Sequence, residues 1–473
     1  MMGIKSAEAK LFYEFSLDRR IPRDHLLRRI EQAVDFSFVY SLTRPYYSHT
    51  GQPSVDPVAL FKMALLGYLY GLPSERRLAQ EVELNLAYRW FLGYDLDEAT
   101  PNHSVLSKAR RRFGKQVYEE FFRRVVLQCE AAGLIDGTTL YLDSTLVPAS
   151  ADVDSARSRV LLQQLPGRPE EFVERLWESN PDVAEEDSEN AGAPTGQHTV
   201  NQWISSRTDP EAAMVSRGRG YPPHFAYKDH LAVDGGWARI VTAVRVTSGQ
   251  RADEYELPNL VEGHSELLGR MPRRVAADRK YATRANYEYL LERNIAPSIP
   301  EMRRRHRPGL WGPERFIYDL ARDLYWCPAG EPVTRRGLAS KQNAIIYRAD
   351  PRTCRDCPLR PQCTTNPQGR RILRFAGEEQ IERARAHLRR PQAKEDIRRR
   401  KAWIEGVIAD AKSHHGLSRA RCRGLTAMTI QALLVASAQN IKKLAAYRRP
   451  AGLAKSLWSA YSIPRLRTEP ATT

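Results

Sequence analysis

The chain has too few acids to balance its bases. Its 473 residues hold 73 lysines and arginines against 56 aspartates and glutamates, a formal charge of +17 at pH 7. Runs such as Arg110-Arg111-Arg112, Arg303-Arg304-Arg305 and Arg398-Arg399-Arg400 carry much of the excess. Long apolar runs are missing as well. No stretch reaches the roughly 18 apolar residues of a membrane span, and Met1 to Glu14 has no apolar signal-peptide core. A cytoplasmic protein without a membrane partner is therefore expected. Cysteine is scarce, with six residues at uneven spacing. In a reducing compartment these point to metal ligands or ordinary buried side chains, not a disulfide framework. General disorder is excluded by an apolar fraction of 42% with 9% aromatics. A chain of this length divides into two or three folded units. The unbalanced positive charge favours nucleic acid, through phosphate neutralisation and counterion release, over a merely solvated basic surface.

Residues 1–135 read as a helical domain. Asp56 before Pro57 is a cap followed by proline at the first helical position, opening the apolar run Val58 to Tyr70. Gly71-Leu72-Pro73-Ser74 breaks it, and Ser74 can cap a second helix through Trp90. Thr100-Pro101-Asn102 opens a third helix bearing Lys108, Arg110, Arg111 and Arg112, and a fourth runs from Val117 to Ala132. A short break before a helix rich in basic groups is the layout of a helix-turn-helix DNA reader; a plain helical bundle with a basic face has the same pattern.

The period changes at Thr138. Thr139 to Val147 is short and β-branched between Gly137 and Pro148, a strand signal. Residues 150–221 turn acidic and Pro/Ser/Gly-rich and read as a flexible insertion. Strands are expected at Phe225 to Val233 and Ala238 to Thr247, joined through Asp234-Gly235-Gly236. A helix over Glu254 to Leu268, a strand over Arg274 to Asp278, a helix over Thr283 to Arg293 and a strand over Ile295 to Ile299 complete an α/β pattern with a mixed sheet. Residues 301–375 form a second, cysteine-containing insertion. Residues 376–446 read as helices, broken at Pro391, and 447–473 as a basic tail.

Three acids stand out. Asp143 lies inside a strand, where aspartate is disfavoured. Asp278 ends the apolar run Val275-Ala276-Ala277, at the carboxyl end of a strand where ligands gather in α/β sheets. Glu405 borders the stripe formed by Ile404 and Ile408. Singly, each has a local alternative: a turn cap, a helix cap, an ion pair with a nearby arginine. Together they would make an oxygen-only site suited to two Mg²⁺ or Mn²⁺ ions.

Their order resembles the DDE transposases of bacterial insertion sequences, which have an RNase H-like catalytic core. Gly71-Leu72-Pro73-Ser74-Glu75-Arg76-Arg77-Leu78 with Arg89-Trp90-Phe91-Leu92-Gly93 resembles the family's N-terminal domain. Leu142-Asp143-Ser144-Thr145 and Ala277-Asp278-Arg279-Lys280-Tyr281 resemble its first two catalytic strands. Ser206 to Ala212 and Tyr227-Lys228-Asp229-His230 are also family-like. Glu405, six residues, then Lys412 resembles the third-acid signature, in which a tyrosine and an arginine precede the glutamate; here those places hold Arg398 and Lys401. The resemblance implies an RNase H-like mixed-sheet core with an N-terminal all-helical domain and two insertions. It also implies metal-dependent strand cleavage at transposon ends and strand transfer into target DNA. Asp143, Asp278 and Glu405 would be catalytic and metal-binding. Lys412 would reach phosphate from the Glu405 face, with Arg400, Lys401, Lys108 and Arg110 to Arg112 contacting double-stranded DNA. A homodimer or larger assembly on nucleoid DNA is expected. A nuclease without strand transfer, or an inactive DNA-binding protein, would carry much of the same pattern.

Cys354 and Cys357, two residues apart, can put two thiolates on one tetrahedral Zn²⁺, which Cys327 and Cys363 would complete; reduced structural cysteines are the alternative. Cys129 and Cys422, in helical segments, read as ordinary side chains.

Overall fold

The structure is a computed structural model that describes residues 14–48, 50, 54–159, 197–216, 222–301, 309–339, 344–375 and 377–447. Most of the expected acidic insertion, Arg303-Arg304-Arg305 and the basic tail beyond Tyr447 lie outside the described residues. In chain order the main elements are helices α1 (Pro57–Leu69), α2 (Glu75–Leu84), α3 (Leu86–Leu92) and α4 (Ser104–Ala131), then strands β1 (Thr139–Pro148), β2 (His224–Asp234) and β3 (Val241–Ser248). There follow α5 (Leu257–Leu268), β4 (Arg274–Ala276), α6 (Arg284–Glu292) and β5 (Ala296–Ser298). Five more strands come next: β6 (Ile317–Asp319), β7 (Leu324–Trp326), β8 (Pro332–Ala339), β9 (Ala344–Ala349) and β10 (Arg371–Phe375). Helices α7 (Glu378–Leu388), α8 (Pro391–His414) and α9 (Leu425–Ala446) close the order. A helical start, three strands, then strands alternating with helices is the mixed α/β order expected of an RNase H-like core. No helix among the described residues is long and apolar enough to cross a membrane.

Two compact units form. The first comprises Met1–Ala252, Asn259–Met271 and Trp403–Thr473; the second, Asp253–Pro258 and Pro272–Ala402. In the first unit β1, β2 and β3 pair antiparallel, with Asp143 opposite Leu231 and Thr145 opposite Asp229. Helix α9 packs against α1, α4 and β3. It is apolar nearly all round and buried from Met428 to Ile441, as a helix enclosed on every side must be. Its one amide at the sheet, Asn440, donates to Val241 O at 2.8 Å and accepts from Val241 N at 3.0 Å. A buried side chain thereby completes the edge of β3 as another strand would.

Capping explains where the expected elements shift. The helix expected from Ser74 to Trp90 is divided at Asn85, whose backbone is extended and whose side chain accepts from Ala87 N and Tyr88 N. The third and fourth helices stay distinct, meeting within α4 at a kink where Gly114 is non-helical at φ 66°, a conformation glycine adopts without steric cost. Strand β3 starts at Val241, not Ala238, because Arg239 is left-handed at φ 53°. In the second unit β4 and β5 pair parallel. The cysteine-containing segment forms its own antiparallel sheet, β10-β9-β8-β7-β6, on a small core of Phe316, Tyr325, Val333, Tyr347 and Ile372.

His264 of α5 is fully buried and bonded through Nδ1 to Thr242 Oγ1 at 2.8 Å. Burial, aided by Arg270, pushes its imidazole from 6.5 down to about 4. Between those values the unfolded chain binds a proton that the folded chain does not. The stabilising difference is thus present above pH 6.5 and is lost as pH falls towards 4. His264→Asn removes this titration. Its urea midpoint should therefore fall less than that of the wild type between pH 7 and pH 5, and equal falls would contradict the assignment.

Candidate active site

In the first unit Lys412 of α8 is bonded to β1, the strand of Asp143, across a strand–helix seam. Alternation along β1 puts Tyr141, Asp143 and Thr145 on one face. The second half of α8 touches that strand at two points. The Trp403 ring meets Tyr141 edge-on, centroids 5.8 Å apart, and Lys412 Nζ donates to Leu146 O at 2.9 Å. Asp143 and Glu405 each lie two residues past the Tyr141–Trp403 contact, and Glu405 stands about 200° round the helix from Trp403. Glu405 shares the Lys412 face, about two turns earlier. Its side chain is exposed, whereas Asp143 is half-buried and accepts from Ser144 N at 2.8 Å.

A further acid in this seam, Asp229, was not singled out by sequence reasoning. It stands opposite Thr145 on β2, only 1% exposed, and its Oδ1 has no hydrogen-bond partner. Burial pushes its carboxyl up to about 8, and the Lys412 charge pulls it back. An aspartate inside an apolar strand is the same signal that marks Asp143, and it was legible within Tyr227-Lys228-Asp229-His230.

Asp278 belongs to the second unit. It sits two residues past β4, half-buried, and its carboxylate accepts from Arg279 N at 2.7 Å as the cap of the Arg279–Tyr281 turn. The first half of α8 is also in this unit. Asp396, 1% exposed, pairs with Arg274 of β4 at 3.0 Å and accepts from Ser298 Oγ of β5 at 3.2 Å. Arg398 and Arg399 are tied to Glu395 at 2.8 and 2.7 Å. Lys401 is exposed and Arg400 buried. Among the described residues, no group of three or more histidines, cysteines or acids is disposed to hold a metal ion.

The four basic residues of α4 differ in what they do. Lys108, Arg111 and Arg112 are exposed, with Arg112 lying over the Tyr47 ring at 5.3 Å. Arg110 is turned inward to a short ion pair with Glu75 of α2. Its guanidinium braces two helices, which leaves its neighbours as the accessible cations.

Cys327, Cys354, Cys357 and Cys363 all line one small cavity of the second unit. Cys327 sits in a tight turn, with its N–H bonded to Glu331 O, Gly330 N bonded to its carbonyl and Glu331 N donating to its Sγ at 3.3 Å. Burial pushes the Cys363 thiol up; Arg370 pulls it back, and Cys354, Cys327 and Cys357 push it further up. The thiols are thus close enough to oppose one another's ionisation, the opposition a bound cation relieves.

Residues 15–112 match the family model of a transposase domain, and residues 326–445 match that of a transposase DDE domain. The second match includes Glu405, Lys412 and the four cysteines but not Asp143 or Asp278. The solved cryo-EM structure of a piggyBac transposase synaptic complex with hairpin DNA is similar at 10% identity, over 88% of this chain and 73% of that one, with a TM-score of 0.33. No curated protein matches. The matched domains make this chain a transposase. It is of the DDE type, a class of enzyme that cleaves DNA and transfers its strands.

The contacts of α4 separate bracing from binding. Arg110→Ala should lower stability by roughly 1–3 kcal/mol, because Glu75 is left partly buried without its partner. Arg111→Ala should leave stability within about 0.5 kcal/mol. Denaturant titration of both variants checks this, and equal losses would contradict the inward placement of Arg110.

Proposed function

We propose that Asp143, Asp278 and Glu405 form one cation-holding site that cuts DNA at the transposon ends and joins the freed 3′ ends to target DNA. The observation that carries this reading is the Lys412 bond to β1, which ties the helix of Glu405 to the strand of Asp143 within one unit. Asp278, just past the end of β4, is assigned to the site from the family resemblance.

The donor set supports two Mg²⁺ or Mn²⁺ ions, since all three groups are hard carboxylate oxygens with solvent access. Bound cations would lower the pKa of the attacking water or 3′-hydroxyl and offset charge on the leaving oxygen. Asp143 keeps its carboxylate oriented through the Ser144 N–H, and Asp278 through the Arg279 N–H. Lys412, two turns from Glu405 and bonded at the seam, places an ammonium beside the scissile phosphate. Lys401, Lys108, Arg111 and Arg112 supply phosphate contacts along the duplex, with the N-terminal helices reading the ends. Two ends are processed together, so two or more copies assemble on DNA.

Asp143→Asn and Glu405→Gln should each lower cleavage of end DNA by a factor on the order of 10³ or more, with end binding within a few-fold of wild type. Gels resolving nicked from joined products check both steps. Wild-type cleavage in either variant overturns the assignment, and nicks without joined products reduce the activity to that of a nuclease.

The four cysteines suit a structural Zn²⁺, because a turn N–H already donates to Cys327 Sγ and the other thiols face the same cavity. Elemental analysis of purified chain should find one zinc per chain, lost together with denaturant resistance in a Cys354→Ser, Cys357→Ser double variant. Metal-free wild type of unchanged stability would refute the site.

A further inference from the structure

A cation outside the expected set stands against the helix turn that contains Glu405. Arg239 lies in the β2–β3 connection, within the same unit as Glu405. Its guanidinium carbon is 5.0 Å from the centre of the Trp403 ring. Its Nη1 comes within 3.7 Å of where a Cβ on Gly406 would lie. Trp403 and Gly406, three residues apart, share one face of α8, and Glu405 lies on another face of the same turn.

The connection is built to hold it there. Asp234 is fully buried and accepts from Asp136 N, Gly137 N and Gly236 N at 2.9, 2.7 and 2.7 Å. Gly235 passes so close to β1 that a Cβ would meet Thr139 O at 2.9 Å. Arg239 itself is left-handed at φ 53°, a region L side chains rarely occupy. It is kept so by its N–H to Gly236 O at 3.0 Å and by the Lys443 ammonium on its carbonyl. Strained backbone held by several independent bonds clusters at functional sites.

Arg239 is half-buried, and among the described residues no carboxylate pairs with it. A guanidinium with one face on an indole still offers its in-plane N–H edge, the edge that grips a phosphate through two hydrogen bonds. We infer that Arg239 is a phosphate-contacting residue of the cleavage site, gripping the DNA backbone where it passes the helix turn that carries Glu405. The inference rests on the reading of Glu405 as part of that site.

The probe is a duplex carrying the DNA that flanks the coding region, with Mg²⁺. Two quantities are read: the dependence of binding on salt, and single-turnover nicking. Arg239→Gln keeps a planar group over Trp403 and removes the charge. It should lower the slope of log affinity against log salt by about one and slow nicking on the order of 10²-fold. Arg239→Lys, which keeps the charge without the planar edge, should retain the slope and recover part of the rate. A wild-type slope in Arg239→Gln overturns the contact whatever happens to the rate, since misfolding alone would lower affinity without a loss confined to one charge. Glu405→Gln separates the two readings. It should stop nicking with the slope intact. Wild-type nicking by that variant refutes the role of Glu405, while the slope of Arg239→Gln still decides the phosphate contact.

Discussion

Two contacts between one helix and one strand are the constraint on which the proposed chemistry depends. Lys412 reaches across to the Leu146 carbonyl and Trp403 meets Tyr141, so the second half of α8 cannot slide or turn on β1 without losing both contacts. A helix fixed at two points nine residues apart presents its intervening side chains at set angles. Glu405 lies between those points on the helix, and Asp143 between Tyr141 and Leu146 on the strand. A carboxylate carried on a regular element is held more closely than one carried on a loop.

The seam carries its charge through geometry. Asp229 is buried where a carboxylate is costly, and burial favours its neutral form. The Lys412 ammonium, bonded to the Leu146 carbonyl, is near enough to oppose that shift. Arg239 approaches the same helix turn from the hairpin, over the other side of Trp403. Among the described residues, Lys108, Arg111 and Arg112 of α4 are exposed, while Lys412 and Arg239 are held by contacts to β1 and Trp403.

Much of this was legible in residues and their spacing. Asp143 and Asp278 were visible because aspartate sits awkwardly in or at the end of an apolar strand, and Glu405 because it edges an apolar stripe seven residues before a lysine. The α/β order followed from the change of period at Thr138. Other features depend on tertiary contacts that no local pattern encodes. Arg110 looked like its neighbours in an arginine run, and only the packing of α2 against α4 gives it Glu75. Arg239 looked like part of a strand, and its left-handed turn follows from Gly235 crossing close to Thr139. Asn85 was legible in principle, since asparagine is a strong cap, but an apolar helical pattern continues across it. The sheet under the cysteines was hidden because its short strands carry exposed polar residues on one face.

The central claim is that Asp143 and Glu405 hold a cation together. Titrating Mn²⁺ into the full chain bound to end DNA, with free Mn²⁺ followed by its paramagnetic resonance signal, tests that claim without relying on cleavage. The account predicts that the tightest bound Mn²⁺ is lost in Asp143→Asn and equally in Glu405→Gln. Undiminished tight binding in either variant would contradict it.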